Sequence, residues 1–207
     1  MSIVIRSATR DDAPFLASMI LKSTRASKNM GYLDFIISAK DDKEMLSYIQ
    51  KVVVSNIKNP LHFSNFLVAQ VDDKLVGSLC SYEPRISTRE ALLEALLEAG
   101  IDASENESLR VLNLCGFEPN TKILVFDFME EIDGFVDAGV LKALMQKSLL
   151  TARLKGYRLA QTVVEIGALE TLMYYKKLGF KELKQKECEA YKELFGRAGL
   201  VLLSVEF

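Results

Sequence analysis

The run from Asp127 to Phe180 constrains the fold more than any other part of this chain. An apolar segment, Ile123-Leu-Val-Phe-Asp-Phe-Met129, is followed by an apolar helix opened by Gly139. A buried strand, Leu159-Ala-Gln-Thr-Val-Val164, then leads into a short helix from Ala168. Gly179 ends that helix as a left-handed C-cap, and Phe180 starts another strand. The order is strand, helix, strand, helix, strand. It sets two helix N-termini beside the C-terminal ends of neighbouring strands, where open α/β sheets bind ligands.

The totals narrow the function. With 207 residues and no internal repeat or linker, one domain spanning 1–207 is expected. The net charge is −2 and no basic block occurs, so nucleic acid is not expected as a partner. The start of the chain does not read as a signal peptide, and no apolar run approaches 18 residues. A cytoplasmic protein with no membrane partner is the expectation. The three cysteines, Cys80, Cys115 and Cys188, are odd in number and scattered, which predicts reduced core thiols. His62 is the only histidine, and it reads as a surface loop residue. Without metal-ligand spacing or a second histidine, no metal site and no histidine triad are expected.

Further elements follow from periodicity. Ile3 to Ser7 alternates as a half-buried strand does. Thr9-Arg-Asp-Asp12 reads as a capping box opening a helix whose inner face is Phe15, Leu16, Met19 and Ile20. Lys22, Arg25 and Lys28 read as its solvated end, with an anion site as the alternative. Asp41 or Asp42 caps a helix that stops at Asn59-Pro60. Residues 65–71 and 75–81 form a hairpin, in which Gly77 marks a bulge or a close backbone approach. Residues 84–121 are a helical insertion, with capping boxes at Ser87-Thr-Arg-Glu90 and Ser104-Glu-Asn-Glu107. Its leucines pack on the body, form a lid, or make a homodimer contact. Residues 200–207 close the chain as a strand.

The run Ala168, Thr171, Tyr175, Gly179, Phe180, together with the opening Ile5-Arg-Ser-Ala-Thr-Arg-Asp-Asp-Ala13, resembles the GNAT superfamily of acyl-CoA-dependent N-acetyltransferases. The resemblance implies an α/β fold: a mixed, mainly antiparallel sheet flanked by helices, with the helical insertion after the third strand. It implies acetyl transfer from acetyl-CoA to an amine on a small molecule or peptide. By the same resemblance, backbone N–H groups of Met129, Glu130 and Glu131 meet the thioester arm. The loop Val136-Asp137-Ala138-Gly139-Val140-Leu141 meets the pyrophosphate, and Ala168 and Thr171 lie beside the cofactor. Tyr175 matches a tyrosine that protonates the departing thiolate. Asp127 aligns with a base on the fourth strand, with Glu130 or Glu131 taking that role if one residue is inserted or deleted; a structural Asp bonded to backbone is the alternative. Tyr32 and Phe35 fall in the region that lines the acceptor pocket, and Tyr174 reads as packing. Val136 and Leu141 depart from the family's loop pattern, and Asp137 adds a negative charge there. A fold retained as a binding or regulatory module without catalysis therefore stays open as the alternative.

Overall fold

The computed structural model describes residues 2–118, 122–135 and 139–207. Val136, Asp137 and Ala138 of the expected phosphate loop lie outside these residues. Among the described residues, seven strands form one sheet in the order β1-β2-β3-β4-β5-β7-β6. They are β1 (Val4–Ser7), β2 (Phe66–Val71), β3 (Lys74–Tyr82), β4 (Leu124–Glu131), β5 (Leu159–Glu165), β6 (Lys181–Glu187) and β7 (Gly199–Glu206). All neighbours are antiparallel except β4 and β5. The mixed, mainly antiparallel sheet expected from the sequence is therefore present.

Helices cover both faces. On one side lie α1 (Ala13–Arg25), α2 (Tyr32–Ile37), α3 (Asp42–Val53), α4 (Arg89–Glu98) and α5 (Glu107–Cys115), packed around Leu16, Ile20, Ile49, Phe66, Val68 and Phe128. On the other lie α6 (Val140–Leu154) and α7 (Leu169–Lys177), packed on Leu79, Phe126, Leu144 and Leu203. The short α8 (Glu189–Phe195) closes the β6–β7 end with Tyr191 and Phe195.

Gly77 holds α6 close to the sheet. A Cβ there would sit 2.7 Å from Val140 Cγ1 and 3.1 Å from the Glu130 carbonyl oxygen. The β2–β3 register also slips beside it, because Ala69 faces Gly77 while Gln70 faces Leu75. Both readings of this glycine hold, a bulge and a close approach.

Several expectations change. Cys115 and Cys188 form a disulfide across 73 residues of sequence, with Cα atoms 5.7 Å apart, so only Cys80 is a buried free thiol. Scatter along the chain says nothing about proximity in space, and here the end of α5 meets the residue that precedes α8. His62 is buried rather than superficial; its Nδ1 sits 2.7 Å from Ser64 Oγ. The helix caps of the insertion are Thr88, which accepts from the Ala91 N–H, and Asn106, which accepts from the Leu109 N–H; they are not Ser87 and Ser104. The insertion packs on the body. Helix α4 lies against α3, and α5 lies against α8 and α2. Among the described residues no helix is long and apolar enough to cross a membrane.

Candidate active site

Strands β4 and β5 run parallel, and they are in register at only two positions: Leu124 with Ala160, and Val125 with Gln161. Beyond these, β4 continues six residues to Glu131 and β5 continues to Glu165 with no pairing between them. The divergence has a local cause. Phe128 adopts φ +46°, a left-handed conformation that is uncommon for a bulky residue. At this point the β3–β4 register slips, with Asp127 facing Cys80 and Glu130 facing Ser78. The extra residue breaks the alternation of side chains. Phe126 packs on the α6 face, whereas Phe128, two residues on, packs on the α1 face and stacks on Phe66 at 6.3 Å.

The gap opens into a cleft of about 960 Å³, at the upper end of the range for small-molecule sites. Its floor is Asp127–Glu131 of β4. One wall is Thr162–Glu165 and the start of α7, and the other is the C-terminal half of α1.

Asp127 is half-buried on that floor, facing Cys80 on the α1 side of the sheet. Burial withdraws it from solvent and pushes its pKa up to about 6. The Phe128 N–H donates to Oδ1 at 2.9 Å and offsets part of this. The carboxylate is thus bonded to backbone and also open to the cleft. Among the described residues it has no ion-pair partner. Glu130 is likewise raised by desolvation, but Lys22 Nζ lies 3.5 Å from it and opposes the shift. Lys22 also donates to the Glu131 carbonyl oxygen at 2.6 Å and to Asp133 at 3.0 Å.

Tyr175 lies on α7, buried, with its ring edge-on to Phe180 at 5.0 Å. Desolvation drives its phenol well above the ordinary value, while a hydrogen bond with the Thr162 side chain acts in the opposite direction. Tyr174 also lines the cleft; its pKa is pushed up to about 12, mainly by desolvation and then by the charge of Glu131. Tyr174, which reads as packing in the sequence, shares a helical face with the other cleft residues of α7: Glu170, Thr171, Tyr174 and Tyr175 stand at i, i+1, i+4 and i+5, and all four meet the cleft.

Other expected residues divide. Ala168, Thr171, Leu141, Met129, Glu130, Glu131 and Tyr32 all line the cleft. Phe35 does not; it packs edge-on against Phe195 at 5.4 Å. Gly139 has φ +78° and directly precedes α6, whose Val140 is fully buried. A Cβ at Gly139 would meet nothing, so this glycine serves the backbone angle rather than space.

The basic end of α1 is not simply solvated. Arg25 donates to Asp34 at 2.7 Å and to Asp42 at 2.7 Å. Lys28 pairs with Glu165 at 2.7 Å, and Glu165 also accepts from the Tyr191 hydroxyl at 3.0 Å and lies 3.5 Å from Arg197. The Lys28–Glu165 pair ties the end of α1 to the end of β5. It joins residues 137 apart in sequence, and nothing local announces it.

The sequence matches no protein-family model and no curated protein. Solved structures do match. An N-acetyltransferase from Staphylococcus aureus Mu50 superposes with a TM-score of 0.69 at 17% identity, over 98% of this chain and 100% of that one. A GCN5-related N-acetyltransferase from Kribbella flavida gives 0.60 at 16% identity, over 99% of this chain and 98% of that one. The PaiA N-acetyltransferase from Thermoplasma acidophilum, solved in complex with coenzyme A, gives 0.58 at 14% identity over 100% of both. At these identities the likeness is one of architecture, and the chain has the fold of the GNAT N-acetyltransferases.

Proposed function

We propose that this protein transfers an acetyl group from acetyl-CoA to a primary amine. The observation that carries the proposal is the parting of β4 from β5 after two paired positions, with Asp127 and Tyr175 both lining the gap. Among the described residues, strand β4 beyond Val125 has no strand partner on its β5 side, so its backbone can bond an extended arm as a neighbouring strand would. Bound there, acetyl-CoA supplies an activated acyl carbon. Gly139 and the start of α6 follow the end of β4, and the N–H groups of a helix start suit a pyrophosphate. Leu141 reaches the cleft but leaves it about 960 Å³.

Asp127 accepts the proton that the amine must lose. An alkylammonium near 10.4 giving its proton to a carboxylate near 6 faces about 6 kcal/mol. An ordinary carboxylate near 3.8 would face about 9 kcal/mol. Desolvation therefore makes Asp127 a better base by about two powers of ten. Tyr174 and Tyr175 keep their protons at neutral pH, so both are hydrogen-bond donors facing the gap. The deeper burial of Tyr175 suits it to steadying developing negative charge without full proton release.

Thermal-shift titration with acetyl-CoA, followed by a thiol-release assay with a panel of amines, tests the proposal. Stabilisation by acetyl-CoA and amine-dependent thiol release are expected. No stabilisation at millimolar acetyl-CoA would refute it.

A further inference from the structure

We infer that the α1 side of the cleft admits an amine with a single ammonium group on an apolar or aromatic body, and that it disfavours polyamines and free amino acids. The inference rests on the transferase reading for the meaning of the site, and on the charge arrangement for the class of acceptor.

Every cation on this wall is already engaged. Arg25 is held by Asp34 and Asp42, each at 2.7 Å, and Lys28 by Glu165 at 2.7 Å. An amino acid's carboxylate would find no uncommitted cation among these residues. Two of the carboxylates that line the cleft with Asp127 are also committed, while Glu131 at the end of β4 and Glu170 on α7 line it as well. Glu165 takes Lys28 and the Tyr191 hydroxyl, with Arg197 at 3.5 Å, and Glu130 faces Lys22 at 3.5 Å. In contrast to those two, Asp127 has no cation beside it among the described residues.

The surroundings of Asp127 select the rest of the ligand. Tyr32 and Tyr175 line the cleft together with Asp127, and Tyr32 and Tyr82 pack on the same side of the sheet. Rings close to an anion favour a cation between them, through both the carboxylate and the ring faces. Further out the wall is apolar: Leu21, Leu46, Leu112 and Leu200 line the cleft, with the Tyr191 ring beside them. Burying an apolar body there is favourable, whereas burying a second unpaired ammonium is costly.

Isothermal calorimetry on the full chain, without any acetyl donor, tests this with 2-phenylethylamine, spermidine and L-phenylalanine. Phenylethylamine should bind at least tenfold more tightly than the other two. Asp127→Asn should weaken it at least tenfold, and Tyr32→Leu, which keeps apolar volume but removes the ring, by about threefold. Circular dichroism checks that both variants are folded. Tighter binding of spermidine, equal binding of L-phenylalanine, or no phenylethylamine binding at 10 mM would each overturn the inference. A separate acetyl-CoA titration distinguishes the two proposals. Amine preference without acetyl-CoA binding removes the transferase reading alone, and acetyl-CoA binding without amine preference removes this one alone.

Discussion

Replacing Asp127 with asparagine should lower activity and raise stability together. The unfolded chain titrates this carboxyl near 3.8, the folded protein near 6. Between those values the native state holds a proton that the unfolded state has lost. Stability therefore falls as pH rises through this window and stays lower above it. The gap corresponds to about 3 kcal/mol at neutral pH; solvent reaching the carboxylate through the cleft mouth reduces this to about 2 kcal/mol. Asparagine carries no charge and still offers an oxygen to the Phe128 N–H, so it removes the cost and keeps the bond. For a chain of this length, 2–3 kcal/mol is a rise in Tm of roughly 4–12 °C. Removing a general base should cost roughly 10²–10⁴ in kcat/KM. Denaturation of both proteins at pH 4 and pH 7.5, with kcat/KM measured from pH 5 to 9, reads all of this. The variant should be the more stable at pH 7.5, and the difference should shrink towards pH 4. Wild-type kcat/KM should fall below an apparent pKa of about 6. A variant no more stable at pH 7.5, or one with wild-type activity, would refute the assignment of Asp127 as a desolvated base.

Three further outcomes follow from the same structure. Tyr175→Phe removes a buried hydroxyl bonded with Thr162; it should lower kcat by about 10- to 100-fold with little change in KM, and cost about 1 kcal/mol in urea denaturation. Gly77→Ala forces a Cβ to within 2.7 Å of Val140 Cγ1, so α6 must shift; a loss of about 1–3 kcal/mol is expected, together with weaker acetyl-CoA binding because the start of α6 moves. Reducing the Cys115–Cys188 disulfide with a dithiol frees a loop of 73 residues, for which chain entropy gives up to about 4 kcal/mol. Leu112 and Tyr191 stand three residues from those cysteines and line the cleft, so reduction should raise KM for the amine while leaving acetyl-CoA affinity unchanged.

The elements of this fold were largely legible because their signals are local. Apolar periodicity marked α1, α3 and α6, and the Gly-Phe pair after α7 marked the turn into β6; Gly179 does adopt φ +95°. Tyr175 and Asp127, which the family resemblance singles out, both line the cleft. What escaped depends on distant contacts or on a single torsion. The positive φ of Phe128 cannot be read from an apolar run, yet it decides which side of β4 faces the cleft. The disulfide, the Lys28–Glu165 pair and the burial of His62 all join or enclose residues by the course of the chain rather than by composition. Capping was misplaced by one or two residues in the insertion because Ser87 and Thr88, or Ser104 and Asn106, are equally good hydroxyl or amide acceptors on paper. Tyr174 reads as packing from its offset of about 100° from Tyr175 around the helix, but the cleft is broad enough to meet both.

Docking of the thioester arm along the unpaired side of β4, as proposed, can be followed through the amide chemical shifts of Phe128 to Glu131 by NMR while coenzyme A is titrated into the protein. Saturable shifts concentrated at those amides and at the first turn of α7 are expected. Binding that leaves the β4 amides unmoved, or no binding at millimolar coenzyme A, would contradict this docking.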